Sequence, residues 1–185
     1  MTNTPRTYQD PMEDGPRLTI VHLSQDDPKK CTARKMARRG LVKLVERHRD
    51  VHPGGILLDP FSQRALSPAD REVATRSGIV ALDCSWEQAE DEFAPLRKRG
   101  LHPRCLPFML AVNPTNYGAA GKLTTLEAFA GTLWILGFQE RARELTALYK
   151  WAPHFLDMNR QPLEEYAGCS DSTEVVRVQS EFTRR

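Results

Sequence analysis

Several short motifs that identify common nucleotide-binding and hydrolytic proteins are missing from this chain of 185 residues. No Gly-x-Gly-x-x-Gly follows the first predicted strand, and no Gly-x-x-x-x-Gly-Lys-Ser/Thr occurs, so a Rossmann dinucleotide site and a P-loop are both poorly supported. The Gly-x-Ser-x-Gly turn that exposes a nucleophilic serine is also absent. We therefore expect no diphosphate ligand and no nucleophile of that kind.

Cysteine and histidine are few and scattered. The four cysteines form no Cys-x-x-Cys pair, which argues against a zinc knuckle and against a disulfide framework. The five histidines match no recognisable ligand spacing, so we expect no metal. His22, at the end of a predicted strand, is interpreted as a structural or gating residue in preference to a catalytic base.

Long apolar runs are absent as well. Residues 1–17 are polar, contain prolines and lack the apolar core of a signal peptide. Nowhere does the chain contain the roughly 18 consecutive apolar residues that a membrane span requires. We expect a soluble, cytoplasmic protein with a flexible leader over residues 1–17 and no membrane partner.

The net charge is only +2, but the basic residues are unevenly distributed. Nine of them stand between positions 29 and 49 against the single acid Glu46, and a second cluster lies between Arg97 and Arg104. Such clusters attract a phosphate backbone, although a solvated helix face explains a charge run at least as often. The residues that we expect to contact such a phosphate backbone are Lys29, Lys30, Arg34, Lys35, Arg38, Arg39, Arg97 and Lys98.

The first part of the chain alternates predicted strands and helices. Apolar residues at helical spacing after Thr32 predict a helix that continues to Val45, with Gly40 as a candidate break. Ser67 and Pro68 indicate a second helix start. This alternation favours an α/β fold with a parallel sheet covered by helices. The predicted strands cover residues 18–23, 55–58, 79–82 and 105–112, and the third helix ends at about residue 94.

The carboxyl-terminal part is predicted to be helical. Thr124 and Glu127 form a capping box before a strongly apolar helix that stops at Gly137. Two more helices are predicted over residues 139–151 and 155–166, before a polar and loosely held tail. We therefore predict an α/β lobe over residues 18–112 and an all-helical lobe with a polar tail over residues 113–185.

The third predicted strand ends in a carboxylate and leads into a helix that opens with a tryptophan. Asp83 follows the apolar run of that strand, and the carboxyl ends of strands are where open α/β sheets bind their ligands. Ser85 with Gln88 predicts a capping box, which places Trp86 on the first turn beside unpaired amides. The alternative interpretation is that Asp83 is a second capping group and Trp86 a core residue.

Turn-forming residues over positions 113–118, Asn-Pro-Thr-Asn-Tyr-Gly, follow the fourth predicted strand. They specify a particular backbone path, which can present amides and carbonyls to the edge of an adenine. An ordinary connection between a strand and a helix explains the same residues equally well.

The ordered set of these motifs resembles the ribosomal RNA aminocarboxypropyltransferase family of archaea and eukaryotes. Its most specific members are Asp-Cys-Ser-Trp at 83–86 and Asn-Pro-x-Asn-Tyr-Gly at 113–118. Segments at 27–32, 58–60, 66–70, 106–108, 123–128 and 149–151 complete the resemblance, which runs from Val21 to Tyr166.

The resemblance implies a knotted, SPOUT-like amino-terminal lobe, a helical carboxyl-terminal lobe and S-adenosylmethionine bound near the knot. Members of the family transfer the 3-amino-3-carboxypropyl arm of this cofactor to a uridine or pseudouridine ring nitrogen of small-subunit ribosomal RNA. We expect the partner to be that RNA or the pre-ribosomal small subunit, and the enzyme to be a monomer. The implied cofactor contacts are Thr32, the Leu82 backbone, Asp83, Trp86, Leu106, Gly121 and Thr125, and Gly121 replaces a larger residue of the family.

Two roles remain open for Asp83 at this point, since a carboxylate near the arm can accept the proton of the ring nitrogen or anchor the ammonium group of the cofactor. Trp86 over the sulfonium adds a cation–π attraction of about 1 to 2 kcal/mol and shields the methyl carbon. Two alternative functions are a knotted RNA methyltransferase, and an RNA-binding module of ribosome assembly without enzymatic activity.

Overall fold

The computed structural model describes residues 15–23, 32–83 and 89–184. Over these ranges the chain forms five strands and eight α-helices. The strands are β1 Leu18–His22, β2 Lys43–Val45, β3 Ile56–Leu58, β4 Ile79–Asp83 and β5 His102–Arg104. The helices are α1 Thr32–Arg38, α2 Arg71–Ser77, α3 Ala89–Arg97, α4 Thr125–Ile135, α5 Gln139–Thr146, α6 Pro153–Met158, α7 Arg160–Ala167 and α8 Ser172–Thr183.

The five strands form one sheet in the order β2-β1-β4-β3-β5. β1 is parallel to β2 and to β4, and β3 is parallel to β4. The central strands are buried almost throughout, as expected for a parallel sheet that is covered on both faces. The predicted α/β class with a parallel sheet is therefore confirmed.

The chain divides into two compact units, each made of two segments. The first comprises residues 1–57 and 73–102, and its core includes Val21, Leu57, Val80 and Leu96. The second comprises residues 58–72 and 103–185, in which α4 packs against α5, α6 and α7. The lobes predicted from chain order, 18–112 and 113–185, remain a prediction.

The predicted helix from Thr32 to Val45 is wrong in its second half. α1 ends at Arg38, and Gly40 adopts a φ of 71°, a left-handed conformation that glycine accepts without steric cost. Residues 43–45 then form β2 and pair with residues 19–21 of β1. The basic residues between Arg34 and Arg49 consequently do not share one helix face.

The predicted fourth strand, over residues 105–112, is also wrong. The strand is β5, at residues 102–104, and the later segment makes only isolated bridges from Cys105 to Ala65 and from Leu110 to Ala120. Pro107 lacks the amide hydrogen that a ladder needs, which explains why regular pairing stops before it. α3 continues past Pro95 to Arg97, and this extra turn contains the fully buried Leu96.

The polar tail contains a helix that its composition does not reveal. The Asp171 side chain accepts a hydrogen bond from the Glu174 amide and caps α8, which is 12 residues long. Val175 is buried, and Phe182 meets Tyr166 edge to face at 6.0 Å between ring centroids. The loosely held tail predicted beyond residue 168 is therefore wrong.

Across the described residues, no helix has both the length and the apolar character needed to cross a membrane.

Candidate active site

Two polar residues end adjacent strands of the first unit. His22 and Asp83 are the last residues of β1 and β4, and the two are partners in the parallel register. His22 Nδ1 lies 3.1 Å from Asp83 Oδ2. The His22 side chain is only 5% exposed, whereas that of Asp83 is 27% exposed. A buried imidazole thus holds a partly exposed carboxylate at the carboxyl-terminal end of the sheet, where α/β folds bind ligands.

β4 extends beyond its pairing with β3. The register between the two strands ends at Leu57 and Val80, whereas β4 continues to Asp83. Leu82 lies in this extension, and its side chain packs against the core of the first unit. Leu82 therefore lies beyond the residues of β4 that pair with β3. A contact between the Leu82 backbone and a ribose requires such a position.

The other predicted contacts of the first unit are less completely described. Thr32 is the first residue of α1 and is partly buried. Trp86, Ser85 and Gln88 lie outside the described residues, as do Lys29 and Lys30. The predicted capping box after β4 and the position of the tryptophan ring therefore stay predictions.

In the second unit, the carboxylate of Glu127 organises the loop that follows residue 112. Glu127 is fully buried, and its oxygens accept hydrogen bonds from the Val112, Asn113 and Thr124 amides at 2.7 to 3.0 Å. Oε2 also accepts from the Thr124 hydroxyl and from the Asn113 side-chain amide. The predicted capping box of Thr124 and Glu127 is confirmed. Its extension to Val112 and Asn113 is not evident from the sequence.

The predicted adenine contacts belong to this second unit. Leu106 is partly buried and follows Cys105, whose carbonyl accepts the Leu66 amide. The Gly121 amide donates to the Met109 carbonyl at 3.0 Å, and Gly121 has a φ of 69° with open space where a side chain would be. Thr125 is the first residue of α4. The left-handed backbone at Gly121 favours glycine.

The basic residues differ in how available they are to RNA. Arg38, Arg39 and Lys98 are exposed, whereas Arg34, Lys35 and Arg97 are partly buried. Arg104 is buried, and its Nε donates to Asp70 Oδ1 at 2.9 Å. Arg104 therefore forms a buried ion pair within the second unit. Its assignment to the second basic cluster is wrong.

Burial raises the pKa of three groups in the second unit. It does so for the thiols of Cys105 and Cys169, which favours the protonated, unreactive form of each. It also raises the pKa of the Tyr166 phenol above its ordinary value, with a further contribution from Glu165. The Tyr166 hydroxyl donates to the Phe108 carbonyl at 3.0 Å. These groups serve packing better than catalysis.

Two family models match the chain. The one described as "Ribosome biogenesis protein, C-terminal" matches residues 56–183, and the one described as "Possible Fer4-like domain in RNase L inhibitor, RLI" matches residues 16–49. Residues 16–49 contain a single cysteine, Cys31, whereas iron–sulfur clusters are typically held by four cysteine thiolates. The residues of this segment do not fit such a cluster, and we assign none to it.

Curated relatives match over nearly their whole length. Proteins from Methanosarcina mazei and Methanocaldococcus jannaschii, both named "16S rRNA aminocarboxypropyltransferase", are 48% and 42% identical to this chain. The alignments cover 89% and 92% of this chain, and 94% and 98% of the relatives. The solved structure of the "SAM-dependent rRNA:acp-transferase Tsr3 from Vulcanisaeta distributa" has a TM-score of 0.81 and 38% identity, over 91% of this chain and 96% of that one. The resemblance inferred from the motifs is confirmed, and the chain belongs to the 16S rRNA aminocarboxypropyltransferase family.

Proposed function

We propose that this chain transfers the 3-amino-3-carboxypropyl group of S-adenosylmethionine to small-subunit ribosomal RNA. Relatives at 42 to 48% identity are named for this transfer to 16S rRNA, and the similar solved structure is named as SAM-dependent. The observation that carries the proposal at the level of residues is the Asp83 carboxylate, held by His22 at the carboxyl end of β4.

The residues of the first unit fit such a cofactor. The Leu82 backbone lies beyond the β3–β4 ladder and is proposed to bind the ribose, while Thr32 binds the amino-acid end. Trp86 is proposed to pack on the sulfonium methyl. From the second unit we propose the backbones of Leu106 and Gly121 for the adenine, with Thr125 nearby. When bound, S-adenosylmethionine supplies an electrophilic carbon whose bond to sulfur breaks as a bond to the RNA base forms.

Asp83 is proposed to act on the transferred arm or on the base. A uracil ring nitrogen must lose a proton to be alkylated, and a carboxylate within reach can accept that proton. The same carboxylate can instead hold the ammonium group of the arm and so fix the direction of attack. In either role its orientation matters, and the hydrogen bond from the buried His22 ring restricts that orientation.

Several finer features belong to the same proposal. The acceptor is a ring nitrogen of a uridine or pseudouridine, and the fold contains the SPOUT-like knot that the resemblance implies. The enzyme acts as a monomer in the cytoplasm on ribosomal RNA or on the precursor of the small subunit. Asp83 is its catalytic residue, and no metal takes part.

The identity of the transferred group provides the test. The purified protein would be incubated with small-subunit RNA that lacks the modification, and with S-adenosylmethionine labelled either in the methyl group or in the carboxypropyl arm. We expect only the arm label in RNA, with methylthioadenosine as the other product. Methyl label in RNA with S-adenosylhomocysteine would show a methyltransferase instead, and failure to bind the cofactor would favour an assembly module without activity.

A further inference from the structure

Tyr117 and His154 form an aromatic pair on the surface of the second unit. Tyr117 is 62% exposed, more than any other large hydrophobic side chain of the described residues, and His154 is exposed as well. Their ring planes lie within 9° of each other, with centroids 6.2 Å apart. The Tyr117 hydroxyl and His154 Nε2 share a hydrogen bond of 3.1 Å. The two rings therefore have a fixed mutual orientation and present parallel faces.

We propose that this pair is a stacking site for an unpaired base of the RNA substrate. The proposal rests on the proposed function, because it takes ribosomal RNA as the substrate, and it assigns a contact to residues that the cofactor site does not use. Sequence-tolerant recognition of single-stranded RNA relies on aromatic rings on which bases stack. A tyrosine whose hydroxyl is already hydrogen-bonded offers mainly its flat face to a ligand.

The backbone beneath Tyr117 is firmly held. The buried Asn113 side chain accepts the Asn116 amide at 3.0 Å and donates to the Lys122 carbonyl at 3.1 Å. The Gly118 amide donates to the Ala111 carbonyl at 2.8 Å. Tyr117 lies between these anchored residues, so its ring is displayed from an ordered loop, and stacking a base on it costs little additional ordering.

The opposite side of the pair is anchored equally well. His154 lies in α6, between the fully buried residues Ala152 and Phe155. The Phe155 carbonyl accepts the side-chain amide of the buried Asn159, which also bonds both backbone groups of Leu110. α6 and the segment before the Tyr117 loop are thus fixed through one asparagine. An exposed pair with buried supports on both sides is preorganised for binding.

Single substitutions at Tyr117 test the proposal. Tyr117→Ala should weaken binding of an unpaired small-subunit RNA fragment about tenfold, the effect expected from losing one base–aromatic stack. Tyr117→Phe keeps the ring and should stay within about threefold of the wild type. Phe61→Ala, at a second exposed aromatic of the same unit, is the matched control and should leave RNA affinity unchanged.

The salt dependence separates stacking from phosphate contacts. Stacking releases no counterions, so the slope of log affinity against log salt should be the same for Tyr117→Ala and for the wild type. S-Adenosylmethionine affinity, measured by calorimetry, should also be unchanged. The stacking site would be overturned if Tyr117→Ala bound RNA with the affinity of the wild type. It would also be overturned if Phe61→Ala lost as much RNA affinity as Tyr117→Ala. A reduced salt slope would point to a phosphate contact and would overturn it as well.

The two proposals can fail separately. If the protein does not transfer the aminocarboxypropyl group but Tyr117→Ala still weakens binding of unpaired RNA, the proposed function is wrong and the stacking site stands. If transfer proceeds and Tyr117→Ala binds and modifies RNA like the wild type, the stacking site is wrong and the function stands.

Discussion

His22 Nδ1 and Asp83 Oδ2 lie 3.1 Å apart and join the carboxyl ends of β1 and β4. The two residues are 61 positions apart in the chain but directly opposite in the parallel register. Because His22 is buried and Asp83 is partly exposed, the imidazole supports the carboxylate from inside the unit. A carboxylate fixed in this way is positioned to contact a ligand at the carboxyl-terminal end of the sheet.

Removing the Asp83 charge should affect turnover more than cofactor binding if Asp83 is the base. Asp83→Asn keeps the shape of the side chain, and we expect kcat to fall about 100-fold with little change in S-adenosylmethionine affinity. An equal loss in kcat and in affinity would instead support the anchoring role. Full activity of Asp83→Asn would exclude both roles. Single-turnover kinetics and calorimetry provide the two measurements.

His22 should act through Asp83. His22→Ala is expected to lower kcat about tenfold, since the carboxylate loses its support, and His22→Gln should recover part of this because its amide can still donate a hydrogen bond. The His22→Ala change should have little effect in an Asp83→Asn background, because residues that act as a unit are not additive. Full additivity of the two changes would show that His22 does not act through Asp83.

The sequence predicts the position of Asp83 but not its partner. An apolar run followed by an acid is a local pattern, and it correctly predicts a buried strand that ends in a carboxylate. The pairing with His22 depends on the register of two strands far apart in the chain, which no local pattern encodes. β2 is missed because its three residues continue the helical spacing of α1. Glu127 is recognised as a capping residue, but its bonds to Val112 and Asn113 depend on tertiary structure.

Trp86→Ala should weaken S-adenosylmethionine binding about tenfold or more, because the proposed cation–π contact to the sulfonium would be lost. Trp151→Ala is the matched control, since Trp151 is a partly buried tryptophan outside the predicted cofactor contacts. Calorimetry measures the affinity, and circular dichroism checks that both variants remain folded. Unchanged affinity of Trp86→Ala would remove this residue from the site.

The exposed arginines at the end of α1 should contribute to RNA binding through charge. The double change Arg38→Glu with Arg39→Glu should weaken RNA binding and flatten its salt dependence, because fewer counterions are released from the phosphates. The control is the double change Arg160→Glu with Arg177→Glu, which changes the net charge by the same amount at two exposed arginines of the second unit. Equal effects of the two double variants would mean that the α1 residues have no special role.

Glu127→Gln should destabilise the second unit by about 3 kcal/mol, because an amide group replaces an oxygen that accepts buried hydrogen bonds. The buried donors of Val112, Asn113 and Thr124 then face one acceptor fewer. Glu181→Gln, the same change at an exposed position of α8, should have almost no effect on stability. Urea unfolding measures both, and a difference below about 0.5 kcal/mol would contradict the assigned role.

Tyr166 should contribute to the loss of stability at alkaline pH. Burial raises the pKa of its phenol above the ordinary value of about 10, so the folded state holds this proton more tightly than the unfolded state. The stability that this tighter proton binding contributes is fully present below about pH 10, and it is lost as the pH rises further toward the folded-state pKa.

Tyr166→Phe should therefore reduce stability by about 1 kcal/mol at neutral pH, through loss of the hydrogen bond to Phe108, and should make stability less dependent on pH in the alkaline range. Tyr117→Phe, the same change at an exposed tyrosine, is the control and should alter stability at neutral pH by less than Tyr166→Phe does. Urea unfolding at several pH values from about 8 to about 11, a range around the ordinary tyrosine pKa, gives the slopes. Identical slopes for the wild type and Tyr166→Phe would show that Tyr166 does not control alkaline unfolding.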